Sequence, residues 1–368
     1  MNVKSVITKK QNINEAVNEI KDSIGDLKAK AILYFASSNY DHEKLSCALG
    51  EAFKNTTVFG CSTAGEIGCG QVMKNSIVAM AFDSNVIEDI KVEVVEDVRQ
   101  EKDLKRAFKS FEDYFKTPMS ELDFEKYVGI ILIDGLCSYE EEIMDKIGNM
   151  TNIVFIGGSA GDDLKFKKTL VSANGKTYSN AAVLAVIKPT NGFDIIKTQS
   201  FKVLDKKLVA NKVIPEKREV LEFNNKKAKI AYADALGIDS DKVAEYFMSN
   251  PVGLVCDEEI YVRSPQQVKD DKMVFYCNIS EGMEVSLLES TDIIKDTKRA
   301  VEDKVKQLGN IKALINFHCI LRTLEIEQKN QSEEYGRIFS DIPTIGFSSY
   351  GEQYVGHINQ TSTILVLK

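Results

Sequence analysis

One short pattern of small residues occurs three times in this chain, and no other feature restricts its fold as strongly. It reads Gly-x-Ser, then one or two residues, then Gly and an acid. The copies are Gly60, Ser62, Gly65 and Glu66; Gly157, Ser159, Gly161 and Asp162; and Gly346, Ser348, Gly351 and Glu352, the middle one being a residue shorter. Each copy is preceded, some thirty residues earlier, by an apolar run of buried-strand character, at 31–37, 128–136 and 313–321. Each is followed by another such run, at 76–82, 181–187 and 362–368. In the first two copies the segment between strand and motif carries a helical stripe. Leu45, Ala48, Leu49, Ala52 and Phe53 form one; Ile143, Met144 and Ile147 form the other, behind the capping-box sequence Ser138 to Glu141. The repeated unit is therefore strand, connection, strand, small-residue turn, strand, and self-similarity on this scale marks a duplicated architecture.

Apolar runs without alternation belong to sheets covered on both faces. Ile90, Val92 and Val94 alternate instead, as in a one-sided strand, and Leu104, Ala107, Phe108, Phe111 and Phe115 follow with the spacing of an amphipathic helix. The fold class expected is α/β: mixed β-sheets packed with helices, built from internally repeated units and divided into two domains. The basic, weakly periodic segment 206–218, with Pro215, places the division near residue 218, giving 1–218 and 219–368. A helix over 228–236 ends at Gly237 as a C-cap, strands and turns follow to about residue 290, and a further helix covers 291–308.

The 368 residues, 43% apolar, suffice for two or three packed cores. No run is long enough to span a membrane and the N-terminus has no signal-peptide core, so a cytoplasmic location is expected. The seven cysteines include no C-x-x-C pair, which argues against a disulfide framework or a structural zinc site. Net charge is 47 − 55 = −8, and the basic stretches 165–169 and 224–229 are short and lack interleaved aromatics, so nucleic acid is not an expected partner.

Three chemistries are compatible with the motif. Cys61 or Ser62 on a strand-end turn could serve as the nucleophile of a hydrolase or transferase, with a base from among His42, His318 and His357, or a carboxylate such as Glu66. Triplication speaks against this, because a single catalytic centre needs one nucleophile. Glu66, Asp162, Asp163 and Glu352 could gather around an ion, but no metal or cofactor motif is present. Binding of a small polar ligand fits best: glycines let backbone N–H groups approach it, and serine hydroxyls add hydrogen bonds. Arg263 and Arg322, each expected at a strand end, would grip a carboxylate, or else pair with Glu66 or Glu352 as structural ions.

These motifs carry a resemblance. Residues 60–67 (GCSTAGEI), 157–163 (GGSAGDD), 279–288 (ISEGMEVSLL), 315–322 (INFHCILR) and 345–367 together resemble FIST-domain proteins, in which an N-terminal and a C-terminal FIST region lie in tandem. The resemblance covers nearly the whole chain. It implies a sensory input module without catalytic activity, as in bacterial members fused to or encoded beside histidine kinases, cyclic-dinucleotide enzymes and chemoreceptors, with small ligands such as amino acids. Relatives often carry a cysteine–small–glycine–arginine string where this chain has Cys319-Ile320-Leu321-Arg322. The expected ligand site lies where the two halves meet. Its residues are Ser62, Thr63, Gly65, Glu66, Gly158, Ser159, Asp162, Arg263, His318, Arg322, Ser348, Tyr350 and Glu352, with an arginine for the ligand's carboxylate and Glu66 or Glu352 for its ammonium. No kinase or cyclase motif follows the last strand, so the expectation is signalling in trans, or that these residues are the sensory part of a longer product. A ligand-free interaction scaffold is the third reading.

Overall fold

The computed structural model describes residues 2–257 and 259–368. The first repeat runs β1 (Val3–Thr8), α1 (Ile13–Ile24), β2 (Ala31–Ser37), α2 (His42–Ala52), β3 (Thr57–Thr63), a hairpin of β4 (Glu66–Gly68) and β5 (Gln71–Met73), and β6 (Ile77–Phe82). The second follows the same order: β7 (Ile87–Val95), α3 (Glu101–Phe115), β8 (Val128–Ile133), α4 (Glu140–Gly148), β9 (Phe155–Ser159), the hairpin β10 (Val171–Ala173) and β11 (Lys176–Tyr178), and β12 (Ala182–Pro189).

The third repeat opens with β13 (Phe193–Gln199) and is then interrupted. The insert contains β14 (Phe201–Ile214), β15 (Glu219–Phe223), β16 (Lys226–Lys227), α5 (Ala228–Leu236), β17 (Val252–Cys256), β18 (Glu259–Arg263), β19 (Pro265–Lys269), β20 (Lys272–Phe275) and β21 (Glu284–Ser290). The repeat resumes with α6 (Ile293–Leu308), β22 (Ala313–Cys319), α7 (Ile320–Gln328), α8 (Ser332–Arg337), β23 (Thr344–Ser349), the hairpin β24 (Glu352–Tyr354) and β25 (His357–Ile358), and β26 (Thr361–Leu367).

Each repeat centres on one parallel pair, β2/β3, β8/β9 or β22/β23. Antiparallel β6, β12 or β26 flanks the pair, and β1, β7 or β13 lies outside it. The hairpin never joins its own sheet. β4–β5 extends the third sheet beside β23, β24–β25 extends the second beside β9, and β10–β11 extends the first beside β3. The exchange is cyclic and ties all three repeats together.

The apolar runs are double-sided because these sheets are. Ala31, Leu33 and Phe35 face an inner core shared by all three sheets, whereas Ile32, Tyr34 and Ala36 lie under α1 and α2. The outer faces of the second and third sheets are covered in the same way, by α3 and α4 and by α6 to α8. The inner core closes on Phe35, Phe317 and Phe347, whose ring centroids lie 4.5–6.4 Å apart. The insert has its own core around Phe223, Tyr232, Phe247 and Phe275.

Three local expectations need correction. Residues 206–218 are largely strand: β14 runs 14 residues. Register shifts after Val203 and near Ala210 bend it, so that its first part pairs with β21 and its second with β15. Residue 218 lies in the β14–β15 turn, within the inserted sheet. The capping box at Ser138 does not form: Ser138 is left-handed (φ 51°), and the N-cap is Tyr139, whose side chain caps nothing. The strand expected to 321 stops at Cys319, and Arg322 stands in the first turn of α7.

Candidate functional site

The three motifs meet at the centre of the repeats. Two residues beyond each motif serine, a backbone N–H donates to the serine carbonyl of the preceding repeat, the first repeat closing the cycle on the third. Ala64 N bonds Ser348 O at 3.2 Å, Gly161 N bonds Ser62 O at 3.0 Å, and Tyr350 N bonds Ser159 O at 3.0 Å. The first motif glycine is imposed by the adjacent parallel strand. A Cβ on Gly60, Gly157 or Gly346 would stand 2.0, 1.8 or 2.4 Å from the carbonyl oxygen of Tyr34, Ile131 or Asn316. Gly65 adopts φ 143°, and a Cβ there would lie 3.0 Å from Ser348 Oγ.

The motif side chains are committed to the same junction. Ser62 Oγ accepts from Leu170 N at 3.0 Å, Ser348 Oγ bonds Thr323 Oγ1 at 2.7 Å, and Ser159 Oγ lies 3.3 Å from Glu140 Oε1. Glu66 accepts from the Thr63 hydroxyl and from Ser76 N (3.0 Å) and Oγ (2.7 Å). Glu352 repeats the arrangement with Ser349 Oγ (2.6 Å) and with Thr361 N (3.2 Å) and Oγ1 (2.6 Å). In the second repeat Asp134 takes this part, holding the Thr169 hydroxyl and Asn180 N. These acids clasp the motif or its hairpin to the strand that follows. Burial lifts both glutamates to about 7, against the pull of their donors. Cys61 faces the inner core, and burial drives its thiol pKa well up.

The other expected site residues divide. His318 is buried with Nδ1 2.9 Å from Tyr335 OH, and desolvation and then Arg322 keep its imidazole well below its ordinary pKa. Arg322, also buried, donates to Thr297 Oγ1 at 2.8 Å and Ser200 Oγ at 3.4 Å, and forms no ion pair among the described residues. It fixes the start of α7 against α6. Arg263 donates from Nε to Asn278 O at 3.2 Å. Gly158 packs against the Phe347 ring. Asp162 gathers a loop: it accepts from Phe166 N, Lys167 N and Lys168 N at 2.6–3.0 Å and from Tyr350 OH at 2.5 Å.

Of the thirteen residues, Tyr350 alone lines the cleft where the second repeat, the third repeat and the insert meet, a space of about 380 Å³. Leu136, Ile320, Leu321 and Leu324 give it an apolar wall. Leu164 and Phe166 stand over it from the Asp162 loop, where Asp163, Leu164 and Phe166 all have positive φ. Phe166, 52% exposed, stacks on Tyr350 at 5.3 Å.

The polar side comes from residues that the sequence did not single out. Arg218, left-handed at φ 50° in the β14–β15 turn, donates to Glu140 Oε2 (2.8 Å) and Glu141 Oε2 (2.6 Å). Burial opposes the charge on Arg218, but the two carboxylates outweigh it and raise the guanidinium pKa. Both α4 and α7 begin at this cleft with N-caps, Tyr139 and Cys319, that make no side-chain cap. Their first-turn N–H groups and dipoles favour an anion there. From Arg218 the bonds run through Glu140 to Ser159 and on to Gln353 Nε2 (3.1 Å), linking the cleft to the central motif. Pro215, whose fixed φ opens the turn that ends at Arg218, was the sequence's one pointer to a turn at this arginine.

A model of the FIST N domain matches residues 30–226 and a model of the FIST C domain matches residues 228–355. Lys227, between them, is the N-cap of α5 inside the insert. An uncharacterized protein of Methanocaldococcus jannaschii is 25% identical over 317 residues. The match covers 79% of this chain and 60% of that relative's length.

Proposed function

The chain belongs to the FIST family of sensory domains in signal transduction, and on that premise we propose that it binds a small carboxylate-bearing ligand of amino-acid type in the cleft at Arg218. The observation that carries this reading is the convergence on one cleft of a guanidinium, two helix starts without side-chain caps and an apolar wall. The ligand's carboxylate would meet Arg218 and the helix N-termini, its ammonium Glu140, and its side chain Leu321 and Leu324. Tyr350 would contact it directly. Ser159 and Asp162 would act from behind Glu140 and Tyr350, and Arg322 by holding α7 in place. The loop carrying Leu164 and Phe166 would close over the occupied cleft, and that rearrangement is the signal. The output is a histidine kinase, cyclic-dinucleotide enzyme or chemoreceptor, in another chain or beyond these residues.

Binding without turnover is part of this proposal. What supports it is that the Cys61 thiol lies in the core and Ser62 Oγ is engaged by Leu170 N. The test is calorimetry and thermal shift across the amino acids and small carboxylic acids. One or more should raise the melting temperature. Arg218→Lys, which keeps the charge beside Glu140 and Glu141 but loses the planar fork, should weaken binding about tenfold or more. Leu321→Trp, which fills the cleft, should abolish it. No stabilising compound in the panel, or affinity unchanged in both variants, would overturn the reading.

A further inference from the structure

Behind the insert-facing wall of the cleft, three segments that are distant in sequence bring Glu141, Cys277 and His357 together. The carboxylate oxygen, the sulfur and the imidazole nitrogen lie within 4.8 Å of one another. Glu141 comes from the first turn of α4, Cys277 from the connection after β20, and His357 from the exchanged hairpin β24–β25. Cys277 is wholly buried and His357 nearly so. We propose that this triad is a binding site for a zinc-class divalent cation, with three protein ligands and a fourth position for water or an exogenous ligand.

Donor chemistry supports this. Sulfur, imidazole and carboxylate together suit zinc and its neighbours rather than calcium or magnesium, and three ligands with one open position is the pattern of a reactive or sensing site. The surroundings supply outer support. The Gln353 carboxamide lies 3.1 Å from His357 Nδ1 and 3.1 Å from Ser159 Oγ. It is Gln353 Nε2 that faces both; turning the carboxamide over lets its oxygen accept Nδ1–H and the serine hydroxyl, which gives up its 3.3 Å bond to Glu140 Oε1, and leaves the Nε2 lone pair of His357 for the ion. The Cys277 thiol donates to Asn359 Oδ1 at 2.6 Å; when that proton leaves, the Asn359 carboxamide, which also lines the cleft, must turn to offer its NH2 to the thiolate. Asn278 N holds the other oxygen of Glu141 at 2.7 Å. Zinc bonds of about 2.0–2.3 Å require the ligand atoms to draw in by about an ångström.

On binding, the Cys277 S–H bond breaks and its proton passes to solvent as the sulfur–metal bond forms. Glu141 exchanges one partner, Arg218, for the ion. Arg218 keeps Glu140 through the same nitrogen, Nη2, which had held both carboxylates, and loses half of its neutralising charge. A cation here would clamp the second repeat, the insert and the exchanged hairpin together, and would change the charge that the cleft presents. This inference concerns the metal alone and stands whether or not the cleft takes an amino acid.

The test is titration of chelator-treated full-length protein with Co2+ and then Zn2+, organic ligands being absent. Because Cys47, Cys69 and Cys256 are exposed, the parent for the experiment has all three replaced by serine. One equivalent of Co2+ should bind with a thiolate-to-cobalt charge-transfer band, zinc should displace it, and about one proton should be released. Cys277→Ser should abolish the band, and Glu141→Gln should weaken binding about tenfold or more, each with circular dichroism like that of the parent. Absence of the band in the parent, its persistence in Cys277→Ser, or unchanged affinity in Glu141→Gln would overturn the proposal. Should Cys277→Ser fail to fold, the rate of Cys277 alkylation in the parent, at a fixed denaturant concentration just below the unfolding transition and with or without one equivalent of zinc, decides the matter: a slower rate with zinc supports the site and equal rates overturn it.

Discussion

Cys61, Gly158 and Phe347 hold the same place in the three motifs, yet no two are alike. All three point to the centre, where the phenylalanine ring occupies space the glycine vacates: a Cβ on Gly158 would come 2.9 Å from Phe347 Cζ. Close packing sets the sum of their volumes rather than each one, so a thiol there signals a packing choice. The paired glutamates carry a sharper consequence. In the folded chain Glu66 and Glu352 stay protonated up to about pH 7, whereas a solvated glutamate ionises near 4.5. The folded state therefore binds more protons across that interval, and each group's contribution to stability, complete below 4.5, is lost as the pH rises to 7. The difference corresponds to about 3 kcal/mol per group. Glu352→Gln keeps an acceptor for Thr361 and a donor for Ser349 Oγ. Denaturant titration at about pH 5 and about pH 8 should find its stability relative to wild type improving by about 2–3 kcal/mol at the higher pH; a constant difference would mean that the carboxyl is ionised throughout. Serines, glycines and acids were legible as a repeated set, because identity at fixed spacing is visible in a linear chain. Arg218 was not, Glu140 was read only as part of a capping box and His357 only as a candidate base, since each gains its place in the site only from its neighbours.

Among the elements, the parallel pairs explain why the motif opens with glycine. A Cβ at Gly157 would sit 1.8 Å from Ile131 O in β8, which is backbone and cannot swing aside. Gly148, at the end of α4, has nothing within 4 Å of the same atom. Gly157→Ala should therefore cost about 3 kcal/mol or more, and Gly148→Ala should leave stability unchanged or raise it by about 0.5–1 kcal/mol; equal effects in a denaturation series would refute the steric account. The buried strands of the repeats and α2, α3 and α4 were readable from periodicity, as were α5 with its Gly237 cap and α6, whereas β1, α1, β13, α7 and α8 were not read. The three hairpins were not, being only two or three residues per strand. A signal for one was present: Asn174-Gly175, both at positive φ, is the dipeptide of a tight hairpin turn. The strand β14 was missed because it is edged by lysines and bent by register shifts, which erases its alternation.

For the molecule entire, the exchange of hairpins decides cooperativity. The first repeat alone would lose β10–β11 from its sheet, and β4–β5 would have no β23 to join. Residues 1–226 contain two repeats but lack β24–β25 beside β9 and the third wall of the inner core. That fragment should form at best a compact state without fixed packing, with a broad thermal transition and dye-accessible apolar surface. Co-expression with residues 227–368 should restore a single sharp transition. A 1–226 fragment that unfolds cooperatively would show that the exchange is not needed for stability.

The triplicated motif was enough to reveal a duplicated architecture, the unalternating apolar runs beside it double-sided sheets, and five ordered segments kinship with a sensory family. These depend on residue type and spacing, which the linear chain carries in full. Tertiary structure assigned the parts. It gave the side chains of Ser62, Glu66, Ser348 and Glu352 hydrogen-bond partners within the protein, of which only that of Ser62, Leu170 N, lies in another repeat, and it placed Arg322 in a helix rather than at a strand end. It also assembled the cleft at Arg218 from the second repeat, the third repeat and the insert, whose lining segments share no local pattern. The physical reason is that a buried polar group must be satisfied wherever the fold leaves it. Whether a serine or a glutamate bonds its own protein or a ligand is settled by what packs against it, and that is a matter of three dimensions.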